Sequence, residues 1–147
     1  MRILFVCTGN TCRSPMAEAL FSGICPDEMV VFSRGIEVQA PSKASENAIF
    51  IMEEMAGLDI SFHLSKQLTI ADVDSADIIF CMTGFHKQFI DTAFPMAKEK
   101  THILYEFAEG KNKDVSDPYG GDVSAYRHCA GELNRLTVKA LYKLNCI

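Results

Sequence analysis

The sequence predicts an α/β domain in which a four-stranded parallel sheet carries helices on both faces. Three observations predict it. Four short apolar runs, at residues 3–6, 29–32, 77–82 and 101–105, have the length and the β-branched or aromatic content of buried strands. Segments with helical apolar spacing separate them, and such alternation builds a parallel sheet covered on both sides. A strand–loop–helix turn ends the first run, and ligands of such sheets bind beyond the carboxyl ends of their strands.

Taken in order, the first strand leads through Cys7-Thr8-Gly9-Asn10-Thr11-Cys12-Arg13 into a helix over residues 14–24. Ser14 can cap this helix, and Pro15 suits its first turn. Its apolar face is Ala17, Leu20, Phe21 and Ile24. The second strand is broken at Ser33-Arg34-Gly35. Pro41 and Ser42 introduce a second helix with a stripe of Ala44, Ala48, Ile51, Met52 and Met55, which Gly57 stops. A loop over 63–68 and a short helical turn precede the third strand, and Thr83-Gly84 hands that strand to a helix at 85–93. After the fourth strand, the Gly-, Asp-, Lys- and Asn-rich stretch 106–121 reads as an exposed loop. The last helix covers about 122–144, with Val123, Tyr126, Ala130, Leu133, Thr137, Ala140, Leu141 and Leu144 inward.

The 147 residues, 48% hydrophobic and 22% charged, fit one soluble domain over 1–147. No apolar run approaches the length of a membrane span, and the N-terminus lacks a signal-peptide pattern, so a cytoplasmic protein is expected. A net charge of −5 leaves no basic stripe for nucleic acid. The six cysteines are then expected as thiols rather than disulfides. Neither they nor the four histidines have metal-ligand spacing, so neither metal nor cofactor is expected.

The chemistry concentrates in the first loop. Such a loop turns backbone N–H groups inward beside a helix N-terminus, and both features attract anions. Arg13 adds a planar fork matched to two phosphoryl oxygens. In this positive field the Cys7 thiol should ionise well below the free value of ~8.5, giving a nucleophile that faces a bound phosphate. The plain alternative is a buried Cys beside an unrelated surface Arg. A second stretch, Asp117-Pro118-Tyr119-Gly120-Gly121, holds its aspartate extended. Asp117 could protonate a leaving group and then activate the water that hydrolyses a phosphocysteine. Equally, it could be an ordinary turn capping the last helix.

Cys7-x5-Arg13-Ser14 on a strand–loop–helix turn, with Asp117-Pro118 far downstream, resembles the low-molecular-weight protein tyrosine phosphatase family along essentially the whole chain. The resemblance implies a flavodoxin-like single domain and a two-step, metal-independent phosphatase acting on phosphorylated proteins, as a monomer. Cys7 would be the nucleophile, Arg13 the phosphoryl clamp and Asp117 the acid and then the base. Thr8 and Gly9 would belong to the phosphate loop, and Asn10 would hold its left-handed bend, for which Asn is suited. Ser14 would donate to the Cys7 thiolate, and Ser33 and His63 would orient Asn10, although His63 reads equally as a satisfied loop histidine. Cys12 would protect an oxidised Cys7 through a reversible disulfide, while the other four thiols lack a matching partner.

Within that family the loop, followed by Asp-Pro-aromatic-Gly-Gly, is similar to the bacterial protein-arginine phosphatase branch. Tyrosine-directed members usually carry a larger aliphatic residue where this chain has Thr11. Its hydroxyl accepts a hydrogen bond from a guanidinium, whose unpaired donors are costly to bury. Asp117 can meet the same nitrogens, and Tyr119 forms a rim able to stack on a phenol or a guanidinium. Phosphoarginine is therefore favoured over phosphotyrosine, with a purely local bond as the plain reading of Thr11. Arsenate reduction would need a cysteine relay through Cys81, but no second cysteine follows in the helix at 85–93. A phosphate-binding module without catalysis would need neither Cys7 nor Asp117.

Overall fold

A computed structural model describes residues 1–145 of the chain, so Cys146 lies outside the described residues. Four apolar segments form strands β1 (Arg2–Cys7), β2 (Val30–Gly35), β3 (Ile78–Cys81) and β4 (Thr101–Ile103). They make one parallel sheet in the order β2-β1-β3-β4. Alternate side chains of β1 sort onto the two faces, as the strand period requires. Ile3, Phe5 and Cys7 join one core, while Leu4 and Val6 join the other.

Among the described residues, six α-helices cover the faces: α1 (Arg13–Ser22), α2 (Glu46–Ala56), α3 (Ile70–Ser75), α4 (Gly84–Ala93), α5 (Leu104–Glu109) and α6 (Val123–Asn145). Helices α1, α2, α5 and α6 pack on the Cys7 face around Phe5, Phe21 and Phe80. Val73 of α3 and Ile90 of α4 pack on the other, so the layers are helix, sheet, helix. The rings of Phe5 and Phe21 lie 5.7 Å apart, and those of Phe5 and Phe80 5.6 Å, separations at which tilted aromatic pairs attract.

Several boundaries differ from the sequence reading, each for a local reason. The stretch 106–121 is not loop throughout. Leu104, Tyr105 and Ala108 share one side of a helical turn and bury it, which shortens β4 and creates α5. Gly110, at φ 68°, ends that helix. Helix α2 begins later than Pro41 and Ser42 suggest, because Ser45 caps it by accepting from the Ala48 N–H. Gly57 does stop it, at φ 62°. Ile24 and Met55 fall outside the core, at 44% and 41% exposure. Ser14 does not cap α1; Cys12 holds the cap position, and the Ser14 hydroxyl is used elsewhere.

Candidate active site

The loop between β1 and α1 is tied outward by its carbonyls. Those of Cys7, Thr8 and Thr11 accept from the N–H groups of Ile36, Glu37 and Ser45, each at 3.0 Å, and that of Cys12 accepts from Met16. With its acceptors turned away, the loop leaves its N–H groups to the concave side, beside the N-terminus of α1. That side is a pocket of about 270 Å³ lined by residues 7–13, Asp117 and Tyr119.

Asn10 sets the bend. It is the only non-glycine residue with positive φ (58°) among the described residues, and four contacts hold it there. Its side-chain amide donates to Ser14 Oγ at 2.8 Å and Ser33 Oγ at 3.0 Å, and its side-chain oxygen accepts from Lys66 N at 3.0 Å. Its backbone oxygen lies 2.8 Å from His63 Nε2. Ser33 in turn donates to Glu18 at 2.6 Å. The structure therefore gathers Asn10, Ser14, Ser33 and His63 into one network and adds Glu18.

The network converges on Cys7. Its sulfur lies 2.9 Å from Ser14 Oγ and accepts the Asn10 N–H at 3.3 Å. Because Asn10 donates to Ser14, the Ser14 hydroxyl proton is free to point at the sulfur. Burial nevertheless raises the Cys7 pKa above its ordinary value. The Ser14 hydroxyl and N–H, the Arg13 charge and the Asn10 N–H all pull it down, yet desolvation by burial outweighs them. This reverses the lowered thiol expected from the loop's positive field alone.

Arg13 is only 6% exposed. One Nη donates to the Val115 carbonyl at 3.4 Å, and the other sits 3.5 Å from Asp117 Oδ2. The guanidinium thus bridges the loop and the distant segment that carries the carboxylate. Asp117 also accepts the Tyr119 N–H at 3.1 Å, so it shapes its own turn. It does not cap α6, because Asp122 does so by accepting from the Ala125 N–H at 3.0 Å. Tyr119, 79% exposed, stands at the pocket rim.

Thr11 lines the pocket, and its hydroxyl has one weak contact among the described residues, Cys12 Sγ at 3.6 Å. Cys12 is buried and lies 3.2 Å from the Tyr126 hydroxyl and 3.6 Å from Ser45 Oγ. All five described cysteines are free thiols. Cys81 pairs in register with Val6 and faces the core opposite Cys7. Burial raises its thiol steeply, so it cannot relay electrons from the pocket. Among the described residues, no three His, Cys, Asp or Glu converge as a metal site, and no helix is long and apolar enough to cross a membrane. A second cleft of about 340 Å³, between α1 and residues 58–63, shares no residue with the Cys7 pocket.

Sequence reasoning missed three residues around this site. His86 reaches the loop at Thr8 from α4, Glu18 supports Ser33, and Glu132 grips the residue before Asp117. None has a spacing signal: His86 and Glu132 come from α4 and α6, and Glu18, although on α1, meets its partner Ser33 on β2.

A family model described as low molecular weight phosphotyrosine protein phosphatase matches residues 2–145. A protein-arginine-phosphatase from Geobacillus stearothermophilus is 41% identical over 143 residues, covering 97% of this chain and 95% of that protein. The low molecular weight protein-tyrosine-phosphatase PtpB of Staphylococcus aureus is 38% identical over 139 residues, covering 95% and 96%. Among solved structures, a mutant of the YwlE arginine phosphatase with a phosphorylated active-site serine superposes with a TM-score of 0.93. It is 38% identical, with 99% of this chain and 96% of that one covered.

Proposed function

The chain belongs to the low molecular weight phosphotyrosine protein phosphatase family and is a cysteine-dependent phosphatase, and from that premise we propose that its substrate is phosphoarginine in proteins. The observation that carries the choice is the Thr11 hydroxyl, which lines the pocket with only a 3.6 Å sulfur contact among the described residues and so has lone pairs to offer. A guanidinium brings N–H donors that must be paired when buried, whereas a phenol ring would leave that hydroxyl unmatched. That the similar Geobacillus stearothermophilus protein is a protein-arginine-phosphatase supports the same choice.

In this mechanism the phosphoryl group enters the ring of inward N–H groups, with Arg13 across two of its oxygens. The substrate dianion accepts the Cys7 proton, since burial keeps the thiol protonated. The thiolate then attacks phosphorus: an S–P bond forms and the P–N bond breaks. Asp117, as the acid, gives its proton to the departing guanidine nitrogen, so that guanidinium leaves. The resulting carboxylate takes a proton from water, whose oxygen attacks the phosphocysteine. The S–P bond breaks, releasing inorganic phosphate and the Cys7 thiolate, which Ser14 and the Asn10 N–H stabilise. Asn10, Ser33 and His63 keep the loop in shape, and Tyr119 stacks on the guanidinium plane.

The proposal extends to a single cytoplasmic, monomeric domain over residues 1–147 that needs no cofactor. A reducing compartment suits the five free thiols. It also includes a protective Cys7–Cys12 disulfide under oxidation, for which the support is that both thiols are buried on one loop and line one pocket. The test offers phosphoarginine and phosphotyrosine peptides side by side, with Cys7→Ser as the control. Faster turnover of phosphoarginine is expected, and Thr11→Ile should shift preference toward phosphotyrosine. Much faster turnover of phosphotyrosine by the unaltered enzyme would overturn the choice of substrate.

A further inference from the structure

We propose that Thr8, held in place by His86, is a second specificity determinant of the pocket and favours a guanidinium leaving group over a phenol. The inference rests on the phosphoarginine reading above and names a residue pair that the reading does not use. Thr8 lines the same pocket as Cys7, Thr11, Asp117 and Tyr119. Its hydroxyl lies 2.9 Å from Nε2 of His86, at the start of α4. The other ring nitrogen, Nδ1, is 3.0 Å from Thr83 Oγ1, and the same Thr83 oxygen caps the helix by accepting the His86 N–H at 3.2 Å. The ring is 1% exposed and engaged at both nitrogens. It therefore cannot swing away, and Thr8 cannot rotate freely.

The protonation state of the ring gives this clamp its chemical sense. Burial first, and then the nearby Arg13 charge, hold the His86 pKa at about 4, although Asp114 and Asp117 pull it upward. The imidazole is therefore neutral near pH 7, with one N–H and one bare nitrogen. If Nε2 is bare, Thr8 donates its proton to it and keeps both lone pairs. If Nε2 carries the proton, Thr8 accepts it and keeps one lone pair. Either way the Thr8 oxygen remains an acceptor with a fixed direction. A guanidinium needs acceptors for its N–H groups, while a phenol ring would bury this oxygen against carbon. Thr8 and Thr11 thus give the pocket two hydroxyl acceptors, one anchored from α4 and one on the loop itself. A His86 that merely caps and fills would change stability, but it would not change the choice between substrates.

The experiment measures kcat/KM for a phosphoarginine and a phosphotyrosine peptide and reports their ratio, which does not depend on how much of a variant is folded. Thr8→Val, close in shape but lacking the hydroxyl, should lower the arginine-to-tyrosine ratio about tenfold. His86→Phe should lower it in the same direction. The double variant should fall no further than Thr8→Val alone, because His86 acts through Thr8. His86→Gln, which keeps a hydrogen-bonding group near the ring's place, should restore part of the ratio. A ratio unchanged by Thr8→Val, with phosphoarginine still preferred, overturns this inference alone. A His86→Phe variant that slows both peptides equally overturns the positioning role. An unaltered enzyme that turns over only phosphotyrosine overturns the underlying substrate reading, and this inference with it.

Discussion

Glu132, midway along α6, accepts hydrogen bonds from both the backbone N–H and the hydroxyl of Ser116, the residue immediately before Asp117. Its other oxygen accepts the Tyr105 hydroxyl, to which Arg135 also donates at 3.2 Å. Burial alone would raise this carboxyl, but the bonds from Ser116 and Tyr105 hold its pKa below the ordinary range. An ionised carboxylate on the longest helix therefore fixes the segment that places Asp117 3.5 Å from Arg13.

Loosening that grip should weaken acid catalysis more than binding. Asp117→Asn is expected to lower kcat/KM for a substrate with a poor leaving group by about 10²–10⁴. It should do so far less for p-nitrophenyl phosphate, whose leaving group needs little protonation. Glu132→Gln should show the same pattern at smaller amplitude, and Ser116→Ala a still smaller one. Steady-state kinetics with both substrates checks this. Equal losses on the two substrates would reduce Glu132 to a packing residue.

The raised Cys7 thiol gives a pH prediction. Alkylation by iodoacetamide needs the thiolate, so its rate should climb with pH to a midpoint above the ordinary thiol value of ~8.5. Ser14→Ala removes the strongest influence that lowers the thiol pKa and should move that midpoint further up. A midpoint well below the ordinary value would mean that the loop's inward N–H groups and the α1 terminus outweigh burial. A midpoint unmoved by Ser14→Ala would remove the hydroxyl from the account.

These residues mark how far the chain could be read without its fold. The placing of Cys7 and Arg13 on one turn was legible because the first strand run, the turn residues and the helix start lie within fifteen consecutive positions, and the sheet because each of its other strands is a separate short apolar run. The bend at Asn10 was implied by the family resemblance, and asparagine is chemically suited to a left-handed conformation. Helix α5 was not, because its burying residues, Leu104, Tyr105 and Ala108, run on directly from β4 and precede a polar stretch. His86 and Glu132 were invisible for a different reason. Their partners Thr8 and Ser116 lie 78 and 16 residues away, and only the packing of α4 and α6 brings them together. The thiol's direction was misjudged because a sequence displays the charges around Cys7 but not the depth of its burial.

Acid should loosen the contact between α5 and α6 late. Arg135 and Lys139 of α6 donate to Glu109 at 2.8 and 2.7 Å and lower its pKa to about 2. A carboxylate depressed in the folded state adds stability above its unfolded pKa of ~4.3 and loses it as pH falls toward the folded value. Glu109→Gln should therefore flatten the fall of Tm between roughly pH 4.5 and 2 and leave its slope near neutrality unchanged. Thermal denaturation across that range is the measurement, and identical slopes would show that the pair is not coupled to folding.

Gly35 offers the sharpest test of how the loop is supported from behind. It ends β2 in register with Cys7, and its N–H and carbonyl are held by Lys66 and Leu68. A Cβ there would come within 2.6 Å of Val38 Cγ2, 2.7 Å of the Thr8 carbonyl and 3.1 Å of Asn10 Cβ. Val38 can turn aside, but the Thr8 carbonyl is backbone and is bonded to the Glu37 N–H. Gly35→Ala must therefore push the phosphate loop itself, a strain of about 1–3 kcal/mol. Catalysis should suffer beyond the loss of stability: at a temperature where the variant is fully folded by circular dichroism, kcat/KM should still be reduced. The Asn10 N–H that faces Cys7 would be displaced, and with it the geometry of the thiolate. Full activity in the folded variant would show that β2 supports the loop less rigidly than this close approach implies.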